Sequence, residues 1–135
     1  MKNTITAFSF LFIIFCFGFQ SFTSFDNDEK EGLVKITIMY PNGEGKTFDM
    51  DYYASQHMPM LEEFFGDAMK KLEIDKGIAG RTPEDTVPYL AIGYLYFDSI
   101  EAYASAFGPH AEKILGDIPN YTNIQPVIQI SEVVR

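Results

Sequence analysis

Hydrophobic and polar residues alternate along four segments of the chain, which is the pattern of β-strands with two different faces. The first segment spans residues 33–40, the second lies within residues 69–78, and the last covers residues 127–134. The third, residues 89–97, is apolar at positions of both parities and therefore predicts a strand that is covered on both faces.

Two further segments carry apolar residues three and four positions apart and so predict helices. Asp49 can cap the first of these helices, Gly66 ends it, and Pro59 predicts a kink or a restart within it. Ser99 can cap the second, which a Gly-Pro pair interrupts before a further turn or two. The resulting order, βαββαβ, is that of an α+β ferredoxin-like sandwich.

Two helices can cover only one face of a four-stranded sheet. The other face, which includes much of the apolar surface of the third strand, would be exposed in a monomer to an extent that soluble proteins rarely tolerate. Two such sheets packed face to face would bury this surface and enclose a cavity between them. The pattern therefore predicts a homodimer.

The amino terminus resembles a targeting segment. A basic start at Lys2 precedes an apolar run of about 15 residues, which suits a secretory signal and is shorter than the roughly 20 residues that cross a bilayer. We therefore expect a signal peptide at residues 1–23, a charged spacer at residues 24–32 and one domain at residues 33–135. The mature protein would be periplasmic or secreted, without stable membrane insertion. An uncleaved amino-terminal anchor is the alternative.

Charge and cysteine content exclude several functions. The chain has 10 basic and 19 acidic residues, with no basic cluster larger than Lys70-Lys71, which argues against nucleic-acid binding. Its one cysteine, Cys16, lies in the predicted signal, so the mature protein would have no disulfide and no thiol nucleophile. The two histidines are far apart and show no metal-binding spacing. We expect no metal and no cofactor.

His57 is the main candidate for chemistry. A neutral imidazole, with an ordinary pKa of roughly 6.5, can accept a proton and return it. Tyr53 precedes it by one helical turn on the same face, within reach of His57 or of a shared ligand. The alternative is that His57 binds a backbone carbonyl where Pro59 interrupts the helix, and that Tyr53 only packs in the core.

Three other residues are candidates for substrate binding. Tyr40 and Tyr94 lie on predicted strands whose faces could line a cavity, and His110 follows the Gly-Pro pair near its entrance. Tyrosines in sheets usually serve packing, and His110 could equally lie at the surface start of a helical turn.

Three blocks of the sequence, in order, resemble the EthD family of dimeric α+β barrel proteins. They are Phe48-Asp49-x-x-Tyr52-Tyr53-x-x-x-His57-x-Pro59, Pro88-Tyr89-x-Ala91-x-x-Tyr94-x-Tyr96-Phe97-Asp98-Ser99 and Asp117-Ile118-Pro119-Asn120-Tyr121-Thr122-Asn123. The resemblance implies a ferredoxin-like protomer, a dimer of sheets and a small cavity reached by the histidine-bearing helix. It implies no single reaction, because relatives with this barrel include cofactor-free monooxygenases, lactone isomerases and cyclase- or decarboxylase-like polyketide enzymes.

The sequence leaves three hypotheses for function. The first is a cofactor-independent enzyme for a small apolar, aromatic or ketonic molecule, with His57 as general acid or base and Tyr53 as its hydrogen-bonding partner. The second is an exported dimer that carries or sequesters such a molecule without converting it. The third is a structural accessory subunit whose cavity is filled by its own aromatic side chains.

Overall fold

A four-stranded antiparallel sheet forms one layer of the structure, a computed structural model that describes residues 30–135. The strands, in the spatial order β2-β3-β1-β4, are β1 (Val34–Pro41), β2 (Met69–Lys76), β3 (Tyr89–Phe97) and β4 (Val127–Glu132). The predicted signal peptide, residues 1–23, lies outside the described residues, as does most of the predicted spacer.

Helices form the second layer. Helix α1 (residues 50–65) consists of an α-helical turn Met50–Tyr52, a π-helical segment Tyr53–His57 and an α-helix Met58–Phe65. Helices α2 (Ile100–Phe107) and α3 (Ala111–Asp117) follow β3, separated by the 3-10 turn Gly108–His110. The order of elements confirms the predicted βαββαβ arrangement. No helix between residues 30 and 135 combines the length and the apolar character needed to cross a bilayer.

The helix ends are formed by the residues that the sequence indicated. The Asp49 carboxylate accepts a hydrogen bond from the Tyr52 amide at 2.9 Å, and Ser99 Oγ accepts one from the Ala102 amide at 3.1 Å. Each satisfies an amide that has no partner within its helix. Gly66 closes α1 with a φ of +49°, a backbone conformation that favours glycine.

Pro59 affects the helix through the turn that precedes it. Because proline has no amide hydrogen, the regular α-helical ladder cannot continue through it. The backbone widens into the π-helical segment, in which the Met58 amide donates to the Tyr53 carbonyl, and a regular helix restarts at Met58. Tyr53 and His57 are both buried on the inner side of this segment.

The two faces of the sheet differ sharply. On the helix-covered face, β3 contributes Ala91, Leu95 and Phe97 to the core. Residues of the other parity, including Tyr94 and Tyr96, lie on the open face. Whether a tyrosine of β3 occupies an odd or an even position therefore decides whether its side chain points to the helices or to the open face.

The open face is more highly charged than the alternation within β3 suggested. Tyr96 donates a hydrogen bond to Glu73 at 2.6 Å, and Tyr94 donates to Asp75 at 2.9 Å. The Tyr96 hydroxyl, helped by Lys30, lowers the pKa of Glu73 to about 2, so this carboxylate is ionised. The neighbouring strand β2 thus supplies charge to a surface for which β3 supplies aromatic rings.

The helical layer leaves β4 partly uncovered. Ile128 and Ile130 pair with Ile38 and Ile36, so they lie on the face that the helices cover elsewhere. They are nevertheless 50% and 46% exposed. The core therefore lies over β1, β3 and β2, and its edge along β4 is open.

Gly93 makes room for Tyr53 in the centre of the sheet. A Cβ atom at position 93 would overlap the Tyr53 hydroxyl and would lie 2.6 Å from Met58 Cε. The hydroxyl of Tyr53 has no hydrogen-bond partner among the described residues. The contact between helix α1 and strand β3 thus depends on the absence of a side chain at position 93.

Gly93→Ala should lower the free energy of unfolding by about 1–3 kcal/mol, because the added methyl group overpacks the core. Adding Tyr53→Phe should restore part of this loss, because it removes the overlapping oxygen. Urea denaturation of the unaltered protein, the two single variants and the double variant measures both effects. Gly116→Ala is the control, because a Cβ there meets nothing within 4 Å. A Gly93→Ala protein as stable as the unaltered one would contradict the packing argument.

Candidate functional site

A cavity of about 160 Å³ lies between the sheet and the helices. Most of its lining is aliphatic or aromatic, and the side chains in it that carry polar groups are Tyr40, His57, Tyr103 and Gln125. An engineered protein cavity of roughly this size, near 150 Å³, binds benzene. A larger depression of about 700 Å³ beside residues 47–51 is wide open to solvent, so it would not enclose a ligand. The smaller cavity is therefore the better candidate site.

His57 is held from both sides of its ring. Its Nδ1 lies 2.8 Å from Asp117 Oδ2, and its Nε2 lies 3.3 Å from the Tyr121 hydroxyl. Because a carboxylate only accepts, Nδ1 carries the hydrogen and Nε2 is the acceptor. The imidazole thus binds a carboxylate, and the alternative of a backbone carbonyl at the helix break does not hold.

A chain of hydroxyl groups continues from His57. With Nε2 as acceptor, the Tyr121 hydroxyl donates to it and accepts from the Tyr40 hydroxyl at 2.7 Å. Burial raises the pKa of Tyr40 and of Tyr121, so both phenols keep their protons. Tyr40 and His57, the two ends of this chain, both line the cavity.

Asp117, the last residue of α3, is anchored by several donors. Its Oδ1 accepts hydrogen bonds from the Tyr52 hydroxyl at 2.9 Å and from Asn120 Nδ2 at 2.8 Å. Burial acts to raise the pKa of Asp117, but the hydrogen bonds from His57, Asn120 and Tyr52 outweigh it and lower the pKa below its usual value. The carboxylate is therefore ionised and fixes the orientation of the imidazole.

The protonation state of His57 follows from its surroundings. Burial lowers the pKa of His57, and the hydrogen bond and the charge of Asp117 offset this only in part. A pKa below the ordinary value leaves the imidazole neutral at neutral pH. A neutral ring with an accepting Nε2 is the form that can take up a proton.

Tyr53 lies beside His57, but as a stacking partner. The two ring centroids are 5.6 Å apart with an interplanar angle of 16°. Among residues 30–135 nothing accepts a hydrogen bond from its hydroxyl, and the positions beside the two imidazole nitrogens are taken by Asp117 and Tyr121. The predicted hydrogen bond between Tyr53 and His57 is absent from this arrangement.

Of the three predicted binding residues, the structure brings only Tyr40 to the cavity. Tyr94 lies on the opposite face of the sheet, paired with Thr37 and bonded to Asp75. A cavity between two facing sheets would therefore be separated from His57 by the sheet itself. His110 stacks on Phe64 at 4.3 Å and does not line the cavity.

Asp117 and Tyr121 are the residues that sequence analysis missed. Both belong to the third block that resembles the EthD family, but the pattern of that block does not connect either residue with His57. Asp117 is 60 positions from His57, so no periodicity connects the two. The available signal was the block itself, in which a carboxylate, an amide and a phenol follow the end of a helix. Among the described residues, no group of three or more acidic, histidine or cysteine side chains could hold a metal ion.

The EthD domain profile matches residues 42–125, which include α1, β2, β3 and the Asp117–Tyr121 turn but neither β1 nor β4. The chain belongs to the EthD family. The crystal structure of an EthD-like protein from Ralstonia eutropha JMP134 is 42% identical and superimposes with a TM-score of 0.74, over 78% of this chain and 95% of that one. The predicted family and its ferredoxin-like fold are thereby confirmed.

A second EthD structure, from Bacillus halodurans C-125, supports the fold alone. It is an ethyl tert-butyl ether D (EthD) family protein with 17% identity and a TM-score of 0.51, over 75% of this chain and 98% of that one. No functionally curated protein matches the chain in sequence.

Asp117→Asn should lower the pKa of His57 further, because it removes the negative charge that favours the imidazolium while the burial remains. Imidazole NMR signals followed across a pH titration measure this shift. Asp51→Asn, which changes an exposed carboxylate at the start of α1, is the control and should leave the titration of His57 as it was. An unchanged or higher pKa in Asp117→Asn would show that Asp117 does not govern the ring.

Proposed function

We propose that this EthD protein binds a small, mostly apolar molecule, aromatic or ketonic, in the 160 Å³ cavity and acts on it as a cofactor-independent acid–base catalyst. One observation carries the proposal: His57 stands in the wall of an apolar cavity, neutral and fixed by the ionised Asp117. Carboxylate–histidine pairs of this geometry orient a general base and stabilise the imidazolium that forms.

The proton would be taken up at Nε2 of His57. The present partner of that nitrogen, the Tyr121 hydroxyl at 3.3 Å, makes a long hydrogen bond that a ligand can replace. An acidic O–H, or a C–H next to a carbonyl, would transfer its proton to Nε2, leaving the negative charge on the ligand oxygen. Once a ligand has taken the place of Tyr121 at Nε2, the Tyr121 hydroxyl can donate to Tyr40, and Tyr40, which lines the same cavity, can turn its own hydrogen to that oxygen. Return of the proton to another atom of the ligand would complete an isomerisation.

Binding without conversion is the second candidate. It is favoured by the fact that both nitrogens of His57 already have partners within the protein, an arrangement that also suits a purely structural histidine. In this case the ligand would contact Tyr40 and the aliphatic wall and leave unchanged. The hypothesis that the chain's own aromatic side chains fill the cavity has the 160 Å³ volume against it.

The same proposal includes export and a homodimer. Export rests on the apolar run that follows Lys2. The dimer rests on Leu90, Ile92 and Tyr94 of β3, which are only partly buried and lie on the open face of the sheet that the helices do not cover. Sedimentation equilibrium of the mature chain at micromolar concentration should give the dimer mass, and a stable monomer would contradict this part.

Exchange of the α-protons of cyclohexanone for deuterium in D₂O, followed by NMR, tests catalysis without knowledge of the natural substrate. The unaltered protein should accelerate exchange, and His57→Gln should lose a factor on the order of 10² or more, the usual contribution of a general base. His110→Gln, which changes a histidine outside the cavity, is the control and should retain the full rate.

Thermal unfolding with phenol or cyclohexanone separates the two candidates. A ligand that binds only the folded state raises the melting temperature. A rise without proton exchange would favour the binding protein. If the melting temperature does not rise and no exchange is seen, both candidates are contradicted.

A further inference from the structure

The cavity has one buried end and one exposed end. At the inner end, Tyr40 and His57 are only 1% and 3% exposed. At the outer end, Leu115 of α3 is 55% exposed and Ile128 of β4 is 50% exposed, and Gln125 lies beside them at the surface. These three side chains line the cavity and contact solvent together, so they form its mouth.

We propose that this mouth, between α3 and the uncovered edge strand β4, is the ligand entrance, and that Leu115, Ile128 and Gln125 select the ligand. The inference rests on the proposed function of the cavity. The inference assigns the ligand to one class: molecules of ring size, with an oxygen at the leading end and a hydrogen-bonding group at the trailing end.

The size and polarity of the cavity determine this class. A volume of about 160 Å³ accommodates roughly a six-membered ring with one or two substituents. The leading oxygen meets the polar groups of the inner end, the Tyr40 hydroxyl and the His57 imidazole. The ring between the two ends contacts aliphatic side chains such as Ile36, Leu61 and Leu95, which offer no hydrogen bonds.

Gln125 provides the contact for the trailing group. A glutamine amide can both donate and accept, so it can bind a carboxamide, a hydroxyl or a carbonyl group. Within residues 30–135 its side chain makes no hydrogen bond of its own, although it stands in the cavity wall. A ligand of this class would therefore gain a contact at the mouth without displacing one within the protein.

Two other sides of the cavity are closed within the described residues, while the α2 side is lined by Tyr103 and Phe107, which are partly exposed. The sheet forms its floor, with Ile36 and Leu95 buried in it. Beyond His57 the way to the surface is filled by Asp117 and by Tyr52, which donates to it. A dimer formed through the open face would lie on the far side of the sheet and would leave the mouth free.

Phenol titration of the mature protein, followed by NMR, tests the entrance. Leu115→Trp and Ile128→Trp should each weaken phenol binding or slow its association by about tenfold or more, and Leu115→Ala should speed association. Val127→Trp is the matched control: Val127 is equally exposed, at 50%, and adjacent on the same strand, but it points to the opposite face. Tryptophan variants that bind phenol as Val127→Trp does would overturn the entrance and leave the proposed function intact.

Titration with 4-hydroxybenzamide tests the role of Gln125. Gln125→Leu should weaken binding of this probe several-fold and leave phenol affinity unchanged, since phenol has no trailing group. Equal affinities of Gln125→Leu and the unaltered protein for 4-hydroxybenzamide would overturn the selection by Gln125. Failure of the unaltered protein to bind phenol at all would overturn the inference together with the proposed function.

Discussion

The hydrogen bond between His57 and Asp117 is the contact on which the site depends. It joins the middle of α1 to the end of α3, two elements that the chain separates by a hairpin of strands and another helix. Asp117 in turn is held by Tyr52 and Asn120, so the imidazole is fixed by a set of partners and not by one. Burial keeps the ring neutral while the carboxylate keeps it oriented, and the two effects together define which nitrogen is available to a ligand.

The sheet imposes a second constraint, because its pleat has a period of two. Tyr40 and Tyr94 both lie on central strands, but only Tyr40 has the parity that points toward the helices. The protein therefore carries two chemically different tyrosine environments on one sheet. One is the buried hydroxyl chain beside His57, and the other is a surface where Tyr94 and Tyr96 donate to carboxylates of β2.

Sequence patterns were sufficient for the elements and for the family. Asp49, Ser99 and Gly66 act locally, through their own backbone neighbours, and so each could be predicted from a few residues. The site could be predicted only in part. His57 and Tyr40 were identified as single residues, but their connection through Tyr121 depends on how β1, α1 and the turn after α3 meet in space. No local pattern encodes that meeting, and for the same reason the sequence alone assigned Tyr53 a hydrogen bond that Asp117 and Tyr121 make instead.

The π-helical segment Tyr53–His57 sets the rotational phase of α1. Each residue of an α-helix advances the side-chain direction by about 100°, so a turn that holds an extra residue shifts everything after it around the helix axis. At the start of the wide turn Tyr53 lies over Gly93, and after the turn Leu61 and Phe65 face the core. The proline that follows makes a uniform α-helix unfavourable here. The direction of the histidine side chain is thus set by a local change of helical pitch that ends at the histidine itself.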